Sequence, residues 1–229
     1  MRTKILYEDE NLIVAHKPPG IGVQTAHIGQ QDMVSELKNY LAQKQPYLGV
    51  IHRLDQPVEG ILVFAKTKKV AADLSQQIKG MDFNKEYIAV VCGKPPSGKK
   101  RLVDYLEKCG SKAKVHDQAD ENNAKRAALQ YEVISQKETE KGSISLLRIL
   151  LETGRFHQIR AQLSHSGHPI LGDSKYANSE SRIISEELNI RNVALCANKL
   201  AFMHPISKKK MEYNTSPDNP VFKYFNELF

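Results

Sequence analysis

Two segments of the chain carry residue types that can do chemistry, and the first spans residues 51–60 with the sequence IHRLDQPVEG. It places two cations and two acids beside a proline and a glycine, directly before an apolar stretch. Asp55 would lie on the loop that enters this strand, where a rigid sheet can hold a carboxylate that attacks an electron-poor centre or accepts a proton. A local ion pair between Arg53 and Asp55 is the simpler explanation of the segment taken alone, because short charged loops are common.

The second segment covers residues 154–173 and contains GRFHQIR followed by HSGHPILGD. A glycine turn leads from a strand into a helix whose N-terminus favours anions, and Arg155 can hold a carboxylate through two parallel hydrogen bonds. A helix start with solvent-facing arginine and glutamine is the simpler alternative. The histidines of this segment match no strong zinc spacing, so no metal site is predicted. They are His157, His165 and His168.

The composition is that of a globular protein with a basic surplus. The chain has 229 residues, and 33 Lys+Arg against 26 Asp+Glu give a formal charge of +7. No apolar run reaches the ~20 residues that span a bilayer, and the first residues lack a signal-peptide core, so no membrane partner is expected. Three widely spaced cysteines exclude a disulfide framework and favour a reducing, cytoplasmic location.

The positive charge favours a polyanionic partner such as nucleic acid, although many basic proteins bind none. Lysines concentrate over residues 94–114 and at Lys208–Lys210. The first of these runs is predicted to be an exposed loop. A solvated surface is the simpler explanation of either run taken alone.

The elements that position these residues are predicted from hydrophobic periodicity and from end signals. Strands are expected over 12–15, 60–65, 86–92, 127–134 and 144–151, with a last strand pair in 193–203 that turns near Asn198. Helices are expected after the caps Asp32 and Thr67, and from His157 to about Ser166. The pattern predicts one α+β domain over residues 1–229, built around a mixed, mostly antiparallel sheet.

Three stretches together resemble the RluA-type pseudouridine synthase family: HRLDQPVEGILVFAKT (52–67), KEYIAVVCGKPP (85–96) and LLETGRFHQIRAQLSHSGHPILGDSKY (150–176). HRLD, GRxHQIR and GxPIxGD form a specific combination, and the chain is similar to the family nearly from end to end. The resemblance implies the pseudouridine synthase fold, an α+β domain whose long, mixed sheet forms two halves with a central active cleft. It also implies that the N-terminal accessory RNA-binding domain of many relatives is absent.

The activity implied by the resemblance is the conversion of a uridine in RNA to pseudouridine, which needs no cofactor. Asp55 would be the catalytic carboxylate, acting either as nucleophile or as base. By the same resemblance, Tyr87 would pack on the uracil and assist proton removal at C5. Arg155 would pair with Asp55 and keep it ionised.

The resemblance also implies contacts to a structured ribosomal or transfer RNA stem-loop, bound by a monomer without an obligatory protein partner. Arg53 would take the space that the flipped uridine leaves, and the lysine-rich segment would contact the RNA backbone. The sequence departs from the family at Val58 and Glu59, at Phe156, where threonine is frequent, and at Ala177. The predicted substrate-binding residues are His52, Arg53, Leu54, Lys99, Lys100, Arg101, Gln158 and Arg160.

Two other functions remain possible on sequence grounds. A non-catalytic RNA-binding module with this fold would tolerate the loss of Asp55 or Tyr87, yet both residues are present. A carboxylate-dependent hydrolase of a small nucleoside or glycoside would need a second acid. Glu59 is the only close candidate for that acid.

Overall fold

The computed structural model describes the chain apart from residues 1, 26–28, 43–45, 81, 120–122 and 229. For residues 226–228 it describes the backbone only. The chain divides into two compact units, Met1–Lys85 with Cys196–Asp218, and Glu86–Leu195 with Asn219–Phe229. Strands and helices follow each other along the chain as β1 (Lys4–Glu8), β2 (Leu12–Lys17), α1 (Met33–Leu41), β3 (Gly49–Val50), β4 (Glu59–Ala65), α2 (Lys68–Lys79), β5 (Asn84–Cys92), β6 (Lys99–Cys109), β7 (Lys112–His116), β8 (Lys125–Thr139), β9 (Gly142–Leu151), α3 (Gln158–His165), α4 (Ser179–Glu187), β10 (Leu195–Met203) and β11 (Lys210–Asn214), and a 3-10 helix covers Pro220–Leu228.

The first unit orders its strands β1-β2-β4-β10, with β11 beside β10 and β3 beside β4. Strands β4 and β10 run parallel, and the other pairs are antiparallel. Strands β2 and β4 are buried along their whole length, so their apolar residues form the core with α2. The predicted caps Asp32 and Thr67 are confirmed, since each side chain accepts a hydrogen bond from the third helical residue.

The second unit orders its strands β5-β9-β8-β6-β7, and all of these pairs are antiparallel. The predicted α+β class with mixed, mostly antiparallel pairing is therefore confirmed. The predicted helix after Gly154 is present as α3, two residues shorter than expected. Among the described residues, no helix combines the length and apolarity that crossing a membrane requires.

Two sequence-based predictions about strands are wrong. The lysine-rich segment is not a loop but contains the hairpin β6–β7, whose first strand pairs with β8 over eight residues. The sequence pattern did not predict this hairpin, because an edge hairpin buries few apolar residues and its side chains are largely charged. The stretch 193–203 holds the single strand β10 without a turn at Asn198, since its antiparallel partner is β11, further along the chain.

Candidate active site

In the segment that carries Asp55, buried side chains alternate with more exposed ones. His52 and Leu54 are 8% and 9% exposed, while Arg53 is exposed and Asp55 is half-buried. The two buried residues therefore anchor the segment and present the two charged ones. Arg53 donates a hydrogen bond to the Gln24 side chain at 3.2 Å.

His52 is an interior residue held by the strand that follows. Its Nε2 accepts a hydrogen bond from the Val63 amide at 3.4 Å, and its ring meets the Phe83 ring edge-on at 5.2 Å. Burial lowers the pKa of His52 well below its usual value, and the nearby Lys85 lowers it further. The ring is therefore neutral near pH 7, and any effect of His52 on a ligand passes through the position of its neighbours.

The end of the segment is fixed by a close approach between β4 and β10. Gly60 has φ +134°, and a Cβ there would lie 2.5 Å from the backbone nitrogen of Ala197, so only glycine fits. Glu59 is fully buried and accepts a hydrogen bond from the Asp218 amide at 2.7 Å. Because this carboxylate is engaged inside the protein, the structure disfavours Glu59 as the second acid of a hydrolase.

Lys17 is the residue of this region that sequence reasoning missed. Its side chain is fully buried at the end of β2, and its Nζ donates to the carbonyl oxygens of Pro18 at 3.1 Å, Ile21 at 2.7 Å and Gln56 at 2.9 Å. The Gly20 amide also donates to the Gln56 carbonyl at 2.9 Å. Lys17 therefore links the KPPG turn to Gln56, the residue that follows Asp55.

The charge of Lys17 is set by two opposing effects. Burial lowers the pKa of Lys17 and the carboxylates of Asp55 and Glu59 act to raise it, and the net result is a pKa lowered to about 7. A buried cation is tolerated where hydrogen bonds and nearby anions compensate its desolvation. The signal in the sequence was a lysine that continues an apolar strand, LIVAHK, into a proline-glycine turn.

We expect Lys17→Met to destabilise the protein by about 1–3 kcal/mol, because three carbonyl oxygens lose their buried donor while the methionine fills a similar volume. Urea unfolding followed by circular dichroism measures the change. Lys69→Met is the matched control, since Lys69 is exposed on α2. Equal stability of the two variants would contradict the positioning role of Lys17.

The second unit fixes the backbone of Arg155 through Gln158. The Gln158 side chain is 3% exposed, and its Oε1 accepts from the Arg155 amide at 2.9 Å and from the Thr153 hydroxyl at 2.8 Å. Its Nε2 donates to the Ala128 carbonyl at 3.0 Å. The Arg155 side chain is exposed and donates through Nε to the Arg126 carbonyl at 3.0 Å.

Arg160 forms a buried ion pair that links the GRxHQIR and GxPIxGD motifs. It is 2% exposed and holds both carboxylate oxygens of Asp173, through Nε at 2.7 Å and Nη2 at 2.8 Å. A Cβ at Gly172 would lie 2.2 Å from the Asn192 carbonyl oxygen, so glycine is required beside this aspartate. The pair joins α3 to the following turn, and its guanidinium lies in the interior, not on the surface.

The other predicted site residues lie on strands of the second unit. Tyr87 is 5% exposed on β5, opposite Ile149 of β9. Lys99 and Lys100 are exposed at the start of β6. Arg101 binds both oxygens of Glu152 at 2.7 Å, and these hydrogen bonds lower the pKa of Glu152 to about 2. Arg101 is therefore largely neutralised by its partner.

Comparison with known proteins identifies the class to which this fold and these residues belong. A sequence model of the family described as RNA pseudouridylate synthase matches residues 11–165, a range that includes Asp55, Tyr87 and Arg155. The chain belongs to this family of RNA uridine isomerases, which confirms the resemblance drawn from its motifs.

Particular relatives resemble the chain over nearly its whole length. It is 33% identical to ribosomal large subunit pseudouridine synthase D of Zymomonas mobilis subsp. mobilis, over 98% of this chain and 72% of that protein. It is 29% identical to tRNA pseudouridine synthase C of Haemophilus ducreyi, over 100% of this chain and 96% of that protein. The solved structure of human RNA Pseudouridylate Synthase Domain Containing 4 shares the fold, with a TM-score of 0.74 and 24% identity over 96% of this chain and 89% of that one.

Proposed function

We propose that this protein converts specific uridines to pseudouridine in structured stem-loops of ribosomal or transfer RNA, with Asp55 as its catalytic carboxylate. The observation that carries the proposal is the position of Asp55. Its carboxylate is half-buried, lies next to the buried residue Leu54, and falls within residues 11–165, which match the family. The two curated relatives are, by name, a ribosomal and a transfer RNA enzyme, which supports both RNA classes.

The chemistry proposed for Asp55 requires one ionised carboxylate and no cofactor. The N1–C1′ bond of the uridine breaks, the uracil rotates, and C5 bonds to C1′, so nothing is oxidised and no group leaves the RNA. Asp55 attacks C1′ or removes a sugar proton, and both routes need its negative charge. Tyr87 would pack on the uracil and assist loss of the C5 proton, and Arg155 would keep Asp55 ionised and oriented.

The target uridine must leave its stack before it can react. Arg53 is exposed one residue before Asp55, which suits a side chain that fills the vacated space and contacts the neighbouring bases or phosphate. His52 and Leu54 would contribute to RNA binding by holding Arg53 and Asp55 in position. Gln158 and Arg160 would do the same for Arg155, from inside the second unit.

We further infer that the enzyme acts as a monomer in the cytoplasm without an obligatory protein partner. The number and wide spacing of the three cysteines support a reducing compartment. Size-exclusion chromatography with light scattering tests the monomeric state.

The function is tested by mapping pseudouridines in RNA from a strain that lacks the gene. Carbodiimide adducts stop reverse transcriptase at each pseudouridine, so ribosomal and transfer RNA can be scanned together. We expect at least one stop to disappear, to return with the wild-type gene, and to stay absent with an Asp55→Asn gene. An unchanged map in both RNA classes would contradict the proposed function.

We expect RNA binding to weaken steeply with salt. The double variant Lys99→Gln, Lys100→Gln should reduce the slope of log Kd against log salt by about 1.4–1.8, because each of the two lost phosphate contacts contributes ~0.7–0.9 to the slope. Arg101→Gln should change the slope little, since Glu152 already neutralises Arg101. Filter binding at several salt concentrations measures the slopes. The control is the double variant Lys68→Gln, Lys69→Gln on the exposed start of α2. Equal slopes for both double variants would show that Lys99 and Lys100 make no contact with RNA phosphates.

A further inference from the structure

An exposed aromatic ring stands beside Arg155 in the second unit. Phe156 lies in the turn before α3 and is 39% exposed. Its ring stacks on the ring of His157, with centroids 3.8 Å apart and planes 20° apart. The ammonium of Lys108, from the hairpin β6–β7, lies 5.1 Å from the centroid of the Phe156 ring. The ring therefore has an imidazole and a cation as its neighbours.

The residue beneath the Phe156 ring, His157, is buried and hydrogen-bonded. His157 is 7% exposed and has the left-handed φ of 54°, which is disfavoured for residues other than glycine and persists only where neighbours fix it. Its Nδ1 lies 2.8 Å from the Tyr176 hydroxyl, and that hydroxyl accepts a hydrogen bond from the Ala113 amide at 2.6 Å. Phe156 is thus exposed above a buried, hydrogen-bonded neighbour.

The cation beside the ring is available for a ligand. Lys108 is exposed, and within the described part of the chain its ammonium has no carboxylate partner within 4 Å. A cation over an aromatic face is attracted by the ring's quadrupole, but only weakly where water competes. A phosphate offers this ammonium a stronger partner, and a long flexible side chain can move to reach it.

We propose that Phe156 and Lys108 form a nucleotide-binding platform, in which an RNA base stacks on Phe156 while the Lys108 ammonium moves to that nucleotide's phosphate. Successive bases stack on aromatic side chains in proteins that bind single strands, and basic side chains follow the backbone. The proposal rests on the proposed function, because it takes RNA as the ligand. It assigns to Phe156, where relatives frequently have threonine, the recognition of an unpaired nucleotide of the substrate.

The platform is tested with the full chain and two fluorescein-labelled decamers, oligo(U) and a backbone with abasic sites in place of the internal uridines. Fluorescence anisotropy measures Kd for each. We expect Phe156→Leu to weaken oligo(U) binding about tenfold, because stacking is lost, and to leave abasic binding unchanged. Phe156→Trp should keep the wild-type affinity, and Lys108→Gln should weaken both decamers alike. Tyr224→Leu is the control, since Tyr224 is also an exposed aromatic residue, at 49%.

The outcomes separate this proposal from the proposed function. Equal effects of Phe156→Leu on both decamers, or no effect on either, would overturn the platform. Tritium release from tRNA and large-subunit rRNA transcripts labelled with 5-tritiated uridine reports isomerisation by the wild-type protein independently. Isomerisation without a base-dependent loss overturns the platform alone. A base-dependent loss in a protein that isomerises none of these RNAs supports the platform and overturns the proposed function.

Discussion

Asp55→Asn should lower the rate of pseudouridine formation by at least about 10³-fold, while folding and RNA affinity stay near wild type. Asparagine keeps the shape of the side chain but can neither attack C1′ nor accept a proton, and a positioned acid–base group alone contributes typically 10²–10⁴-fold. The segment itself should keep its conformation, because its anchors are the neighbouring buried residues His52 and Leu54 and the Lys17 contact to Gln56.

Tritium release from transcripts labelled with 5-tritiated uridine measures this effect, and filter binding and urea unfolding check affinity and stability. The matched control is Asp82→Asn, since Asp82 is an exposed aspartate of the same unit. An Asp55→Asn enzyme that works within tenfold of wild type would remove Asp55 from the chemistry and favour the non-catalytic RNA-binding alternative, provided RNA affinity is intact.

Arg155→Ala should reduce the rate about 10²–10³-fold, the usual loss when one preorganised electrostatic partner is removed. Without this guanidinium, the catalytic carboxylate would lose the partner that is proposed to orient it. Arg155→Lys should retain part of the activity, because lysine supplies the charge but not the planar fork. The backbone hydrogen bond from Arg155 to Gln158 is kept in both variants, so the turn should survive.

A double variant tests whether Arg155 acts through Asp55. If the two residues serve one step, Asp55→Asn with Arg155→Ala should be little slower than Asp55→Asn alone. Arg182→Ala, an exposed arginine of α4, is the control. Full activity of Arg155→Ala would rule out its proposed role.

The sequence alone determined the features that depend on short stretches of chain. Apolar runs predicted β2, β4 and β5, and the caps Asp32 and Thr67 predicted where two helices begin. These signals are local because a strand's apolar run and a cap's hydrogen bond involve residues a few positions apart. The motifs around Asp55 and Arg155 were specific enough to place the chain in its family, which the family match confirms.

Only the tertiary structure decided the features whose partners are distant along the chain. The hairpin β6–β7 reads as a charged loop until its pairing with β8 is seen. The contact of Lys17 with the Gln56 carbonyl, 39 residues away, is seen only in the structure. The buried ion pair of Arg160 with Asp173, 13 residues further on, is seen only in the structure. The physical reason is common to all three, since burial and pairing depend on what the fold brings alongside, and side-chain type and spacing do not encode this locally.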